Sequence, residues 1–179
     1  LGAQTTGLNN VAIGCHALAT SVDDADLNIA IGKLAMGAAD VSGFNNIALG
    51  TTSMDALTTG ACNIAMGINA LGATTIGVCN IAIGVGAMYG VTTGQADSNI
   101  AIGVSAMVGA AGTSGNENIA IGRATADALT TGACNVALGR NALGATTTAC
   151  LNIAIGELAL GAGVLACGGA GQAEGNIAI

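Results

Sequence analysis

The sequence lacks almost everything that an ordinary globule or a charged tail relies on. Among 179 residues there is no Pro, no Trp, one Phe and one Tyr. Charge is scarce too: 3 basic and 10 acidic side chains leave a net of −7. With so few cations the chain cannot grip nucleic acid by neutralising phosphates, so no nucleic-acid partner is expected. Disorder is excluded as well, because 52% of residues are apolar and the mean hydropathy is +0.71. Yet no uninterrupted apolar run reaches the roughly 18 residues of a membrane span, and no membrane insertion is expected. Gly fills 30 positions without a three-residue period, which excludes collagen. A core must therefore be built from Ile, Val, Leu, Met and Ala, without the rings that usually anchor one.

What is present is a repeat. The phrase Asn-(Ile/Val)-Ala-(Ile/Leu/Met)-Gly begins at Asn10, Asn28, Asn46, Asn63, Asn80, Asn99, Asn118, Asn135 and Asn152, and a tenth copy runs from Asn176 to Ile179. The spacings are 18, 18, 17, 17, 19, 19, 17, 17 and 24 residues. Three and four positions after each Gly come a small residue, usually Ala, and then a Leu or Met, as in Ala35-Met36 and Ala87-Met88, with Thr125-Ala126 the exception. Between copies the chain varies and often reads Thr-Thr-Gly, as at 58–60, 92–94 and 130–132. Residues 54–75 and 126–147 agree at 18 of 22 positions, the trace of a duplication four units long.

Large and small side chains alternate within the phrase, and a period of two means strand. Eighteen residues, with a second short strand expected at x-x-Ala-Leu, make one rung of an all-β parallel solenoid, or β-roll. Helical repeats are mostly longer and need a 3.6-residue period. Nine full rungs at about 4.8 Å each give a rod about 43 Å long. The repeat positions that carry this reading are Asn28, Ile29, Ala30, Ile31 and Gly32, with Asn80, Ile81, Ile83, Gly84, Asn135 and Gly139 as their counterparts. The aliphatic ladders (Ile29, Ile81 and their equivalents; Ile31, Ile83 and theirs) are expected to point inward. All five Met residues, Met66 included, are assigned to the core, where Met fills irregular gaps. Each Gly supplies a turn at positive φ. The Asn residues are expected to stack as an amide ladder. Lys33, Arg123, Arg140 and Glu157, each one residue past the Gly, should face solvent, as should the arcs with Asp23, Asp24, Asp26 and Asp40. The chain is a single repeat array over 1–179. It opens and closes inside a unit, as a window on a longer fibrous protein would.

The phrase with its Thr-Thr-Gly linkers resembles the YadA-like head repeats of trimeric autotransporter adhesins, and equally the related repeats of phage tail-fibre and other virion appendage proteins. The resemblance runs from Asn10 to Ile179, with units longer than those usual for the adhesin head. It implies a left-handed β-roll, a homotrimer, and an extracellular place on a bacterial surface or a virion. It also implies a structural and adhesive role toward a host-surface or matrix receptor, with no catalysis.

Chemistry-bearing residues are few. On strand alternation Cys62, Cys79 and Cys134, each just before a repeat Asn, fall on the Ile face, as small buried hydrophobes. Cys62 and Cys79 also lie one rung apart, a separation open to a disulfide. Without a Cys-x-x-Cys pair a zinc site is not expected, and neither a metal nor a cofactor is assigned. His16 reads as a surface residue. The Asp23-Asp24-Ala25-Asp26 cluster could offer oxygens to calcium, but reads better as a solvated loop. No phosphate-cradling Gly-rich loop or Gly-x-Ser-x-Gly element appears, so no enzymatic activity is expected. Two other functions compete with the appendage reading. One is an ice-binding solenoid displaying the recurrent Thr residues, and the other is a filament whose rungs stack across subunits.

Overall fold

A computed structural model describes residues 7–20, 25–37, 40–90, 96–109, 115–145, 147–162 and 175–179. It is a β-solenoid with one short strand per repeat. These are β1 (Val11–Ile13), β2 (Ile29–Ile31), β3 (Ile47–Leu49), β4 (Ile64–Met66), β5 (Ile81–Ile83), β6 (Ile100–Ile102), β7 (Ile119–Ile121), β8 (Val136–Leu138), β9 (Ile153–Ile155) and β10 (Ile177–Ala178). All ten lie side by side in chain order in one sheet. Every pairing is parallel, and each repeat position meets its own equivalent, as Ala82 meets Ala65 and Ala101. The expected strands are therefore present, with one change. The x-x-Ala-Leu segment forms a turn rather than a second strand.

The turn has a backbone cause. In each fully described rung three positions besides the Gly take the left-handed conformation: the residue before the Asn, the second residue after the Gly, and the Leu/Met position. In the fifth rung these are Cys79 (φ 58°), Gly86 (φ 65°) and Met88 (φ 53°). Single left-handed residues break strand geometry sharply, and so make corners. Inter-rung hydrogen bonds continue through the corners. Gly84 N donates to Met66 O at 2.8 Å, Gly86 N to Ile68 O at 2.9 Å, and Met88 N to Ala106 O at 2.9 Å. The coil is thus sewn to its neighbours at strand, corner and turn, so buried backbone groups find partners.

The core reverses one expectation. The inward face of the sheet carries the Asn and Ala, and the Ile face looks outward. Ala82 is 0% exposed, whereas Ile31 is 37% and Ile13 58% exposed. Ile29, Ile81 and Ile83 are half-buried. The interior is filled by the Ala ladder, by Leu18, Met36, Met54, Leu71, Met88, Met107 and Leu143 from the turn, and by Val41, Leu57 and Leu129 from the arcs. Four of the five Met residues are core residues as expected, but Met66 stands on the outer face, 40% exposed. Cys62, Cys79 and Cys134 are likewise exposed rather than buried, and all three are free. The reason is width. A one-strand rung leaves room for a methyl opposite a Leu or Met, and an Ile at the Ala position would overpack it.

Candidate functional site: an inner amide ladder and an outer aliphatic face

Two surfaces of the sheet carry whatever this chain does, and the inner one makes the outer one possible. Asn is an expensive residue to bury unless every donor and acceptor is matched. Here each interior Asn is matched. Asn63 Oδ1 accepts from Asn80 N at 2.9 Å and from Asn80 Nδ2 at 3.2 Å. Its own Nδ2 donates to Asn46 Oδ1 at 3.0 Å and to Gly77 O at 2.7 Å. The full pattern repeats at Asn80 and Asn135, and Asn28 shares the Oδ1 contacts to Asn46 and the donation to Gly43 O; all three are buried. Asn80 Nδ2 donates to Ala96 O at 2.7 Å, and Asn135 Nδ2 to Ala149 O at 2.7 Å. The expected amide ladder therefore exists, but inside the coil rather than on it.

Except at Asn152, whose Nδ2 donates to Cys150 O at 2.8 Å, the carbonyl that receives each amide identifies a position that sequence reasoning passed over. It lies three residues before the next Asn and is always small: Ala25, Gly43, Gly60, Gly77, Ala96, Gly115, Gly132 or Ala149. At Gly60 an added Cβ would sit 2.5 Å from Gly77 O. The invariance of small residues there was the available signal. The strand-end Gly is constrained twice over. Gly32 has φ 138°, and its Cβ would meet Gly50 O at 2.5 Å. Gly84 (φ 133°) and Gly139 (φ 128°) repeat the conformation.

The outer face is a double row of aliphatic side chains on ten strands. One row holds Val11, Ile29, Ile47, Ile64, Ile81, Ile100, Ile119, Val136, Ile153 and Ile177. The other runs parallel through Ile13, Ile31, Leu49, Met66, Ile83, Ile102, Ile121, Leu138 and Ile155. Exposed Leu27 and Leu151 extend it on one edge, and Ile68, Val85 and Val104 on the other. Lys33, Arg123, Arg140 and Glu157 lie exposed on that second edge as expected, and Arg140 pairs with Glu157 of the next rung. The face is about 43 Å long, with its rows about 7 Å apart. The two rows alone cover on the order of 300 Å²; with the corner rows, which also carry Lys33, Thr51, Ser98, Glu117, Arg123, Arg140 and Glu157, the face spans on the order of 800 Å².

Comparisons with protein-family models, curated proteins and solved structures match nothing. The reading of the two faces rests on their own geometry.

The remaining candidates sort simply. His16 is exposed, with Nδ1 3.7 Å from the Cys15 Sγ. Among the described residues no three His, Cys, Asp or Glu side chains converge on a metal-sized site. Asp23 and Asp24 lie outside the described residues, while Asp26 accepts a 2.7 Å hydrogen bond from Leu8 N on the neighbouring rung. Of the recurrent Thr residues, 92 and 93 lie outside the described residues. Thr58 donates its hydroxyl to Thr75 O at 3.0 Å, and Thr130 to Thr147 O at 2.9 Å. These hydroxyls stitch the arcs together, and only the second of each pair, Thr59 or Thr131, is exposed. Cys150 is disulfide-bonded, and Cys167 lies outside the described residues. Among the described residues no helix is long and apolar enough to cross a membrane.

Proposed function

We propose that this chain is a non-catalytic structural and adhesive module of an extracellular appendage, assembled with copies of itself through the outer aliphatic face. The observation that carries the reading is that face. A surface on the order of 800 Å², aliphatic along its two central rows and mixed at its edges, matches one side of a standard protein–protein interface. Its sequence is periodic, so a second rod in the same register meets like with like along its whole length.

Charge placement favours parallel rods related by a rotation axis along their length. In such an arrangement the edge before the Asn in one chain meets the edge after the Gly in the next, at the same rung. On the seventh rung these edges carry Glu117 and Arg123, which are complementary. The threefold choice among such rotations comes from the resemblance to the adhesin head and virion fibre repeats, as do the extracellular setting and the role toward a host-surface or matrix receptor.

Native mass spectrometry and light scattering test the assembly. A trimer is expected for the natural chain. Ile64→Lys, Ile100→Lys and Ile119→Lys together should give a monomer whose β-sheet circular dichroism is retained. A natural chain that is monomeric at micromolar concentration would sink the proposal.

A further inference from the structure

The row of residues just before each Asn, an edge of the outer face, contains a pair of thiols that the scaffold itself does not use. Cys62 and Cys79 occupy this position on consecutive rungs. Both are free and exposed. The strands that follow them pair in register, Ile64 with Ile81, and Cys79 N donates to Ala61 O at 3.0 Å. Their backbones share one conformation, with φ 59° at Cys62 and 58° at Cys79. Two side chains leaving equivalent backbones in the same direction stay about one rung spacing apart, about 4.8 Å.

That neighbours in this row can reach each other is visible three rungs further on. There Cys134 Sγ lies 3.5 Å from Glu117 Oε2, from the same position on adjacent rungs.

The spacing selects among the things two thiols can do. A disulfide needs Cβ atoms about 3.5–4.5 Å apart, closer than equivalent Cβ atoms on a parallel ladder, and both thiols are free. A tetrahedral zinc site needs four ligands, and this row supplies two, flanked by Asn45 and Ser98. A soft cation held linearly by two thiolates is different. Two metal–sulfur bonds of about 2.3 Å end to end span about 4.6 Å, close to the rung spacing, and soft thiolates select Cu(I).

We propose that Cys62 and Cys79 form a two-coordinate site for a soft monovalent cation of the Cu(I) type. On binding, two S–H bonds give up their protons to solvent and two S–Cu bonds form. Neither sulfur nor copper changes oxidation state.

Anaerobic competition for Cu(I), kept reduced by ascorbate, between the full chain and the chromophoric chelator bathocuproine disulfonate tests this. The expected result is one tightly held Cu(I) per chain. Loss of either thiol should weaken binding at least about a hundredfold, because the second bond is then no longer intramolecular. Cys62→Ser and Cys79→Ser are the variants, and both should fold, since Ser98 already occupies the same row position. Cys15→Ser with Cys134→Ser should bind as the natural chain does. Binding that survives in Cys62→Ser or Cys79→Ser would overturn the proposal, as would its loss in the Cys15/Cys134 variant. So would recovery of binding on mixing the two single variants, which would place the site between chains.

Discussion

Replacing Asn80 by Ala tests the inner ladder where it is most deeply embedded. The change leaves Ala82, Met88 and every backbone hydrogen bond in place and removes one amide. Three groups then lose their partners: Asn99 N at 2.9 Å, one proton of Asn99 Nδ2 at 3.3 Å, and Ala96 O at 2.7 Å. Asn63 Oδ1 is spared, because Asn80 N still donates to it at 2.9 Å. A buried orphan costs about 1–3 kcal/mol. The long Nδ2 contact belongs at the low end of that range, so the total is about 4 kcal/mol. Asn10→Ala is the control. Asn10 is only half-buried, and water can reach what it leaves behind; about 1–2 kcal/mol is expected there. Urea unfolding followed by circular dichroism measures both. In a repeat array each rung is held by its neighbours, so the interior lesion should also broaden the transition and lower m. Hydrogen exchange at the Asn99 amide supplies the local readout and should accelerate. A loss below about 1 kcal/mol for Asn80→Ala, or one equal to that of Asn10→Ala, would refute the claim that the amide ladder holds the coil together.

Three further outcomes are expected. Gly67→Ala combines φ 138° with a Cβ placed 2.5 Å from Gly84 O, whereas Gly86→Ala has φ 65° and meets nothing nearer than Ser105 Oγ at 4.0 Å. Thermal unfolding should show a loss of more than about 3 kcal/mol for the first and about 1 kcal/mol for the second. Ala82→Leu should cost about 3 kcal/mol by overpacking the interior, while Ile83→Ser, on the outer face, should cost the isolated chain less than about 1.5 kcal/mol; the reverse order in chemical unfolding of dilute protein would invert the two faces. Partial desolvation, then the hydrogen bond to Glu117 and its negative charge, push the exposed Cys134 thiol above its ordinary 9.0. Glu117→Gln should therefore lower that pKa and speed iodoacetamide alkylation of Cys134 on the alkaline side of neutrality, read by mass spectrometry of the labelled peptide.

Much of this architecture is legible in the sequence. The phrase places every strand, the period places every rung, and the Leu/Met position gives the main interior ladder. The sheet's facing is where hydropathy misleads. Ile is more apolar than Asn and Ala, so the Ile face looks like the inside. The interior instead takes the side chain that fits, and four hydrogen bonds per Asn cancel the desolvation penalty that would expel it. The repeat held a clue of another kind: Ala is unvaried in all ten copies, while the flanking positions exchange Ile with Val, Leu or Met. Narrow space tolerates no exchange, and an open face does. The corners are hidden for a different reason. Leu27, Leu34 and Cys62 adopt φ near 58° against their intrinsic preference, because inter-rung bonding outweighs the local cost.

The pairing of each Asn with the one before it also sets how the chain keeps count. Spacings of 17, 18, 19 and even 24 residues all return to the same register: Asn176 N still meets Asn152 Oδ1 at 3.0 Å after the longest detour. Each rung is indexed afresh by its own clamp, so an error of length in one arc is never passed to the next. The molecule is in effect a graduated ruler, and its arcs are marks at which foreign peptides can be written about 4.8 Å apart without blurring the scale.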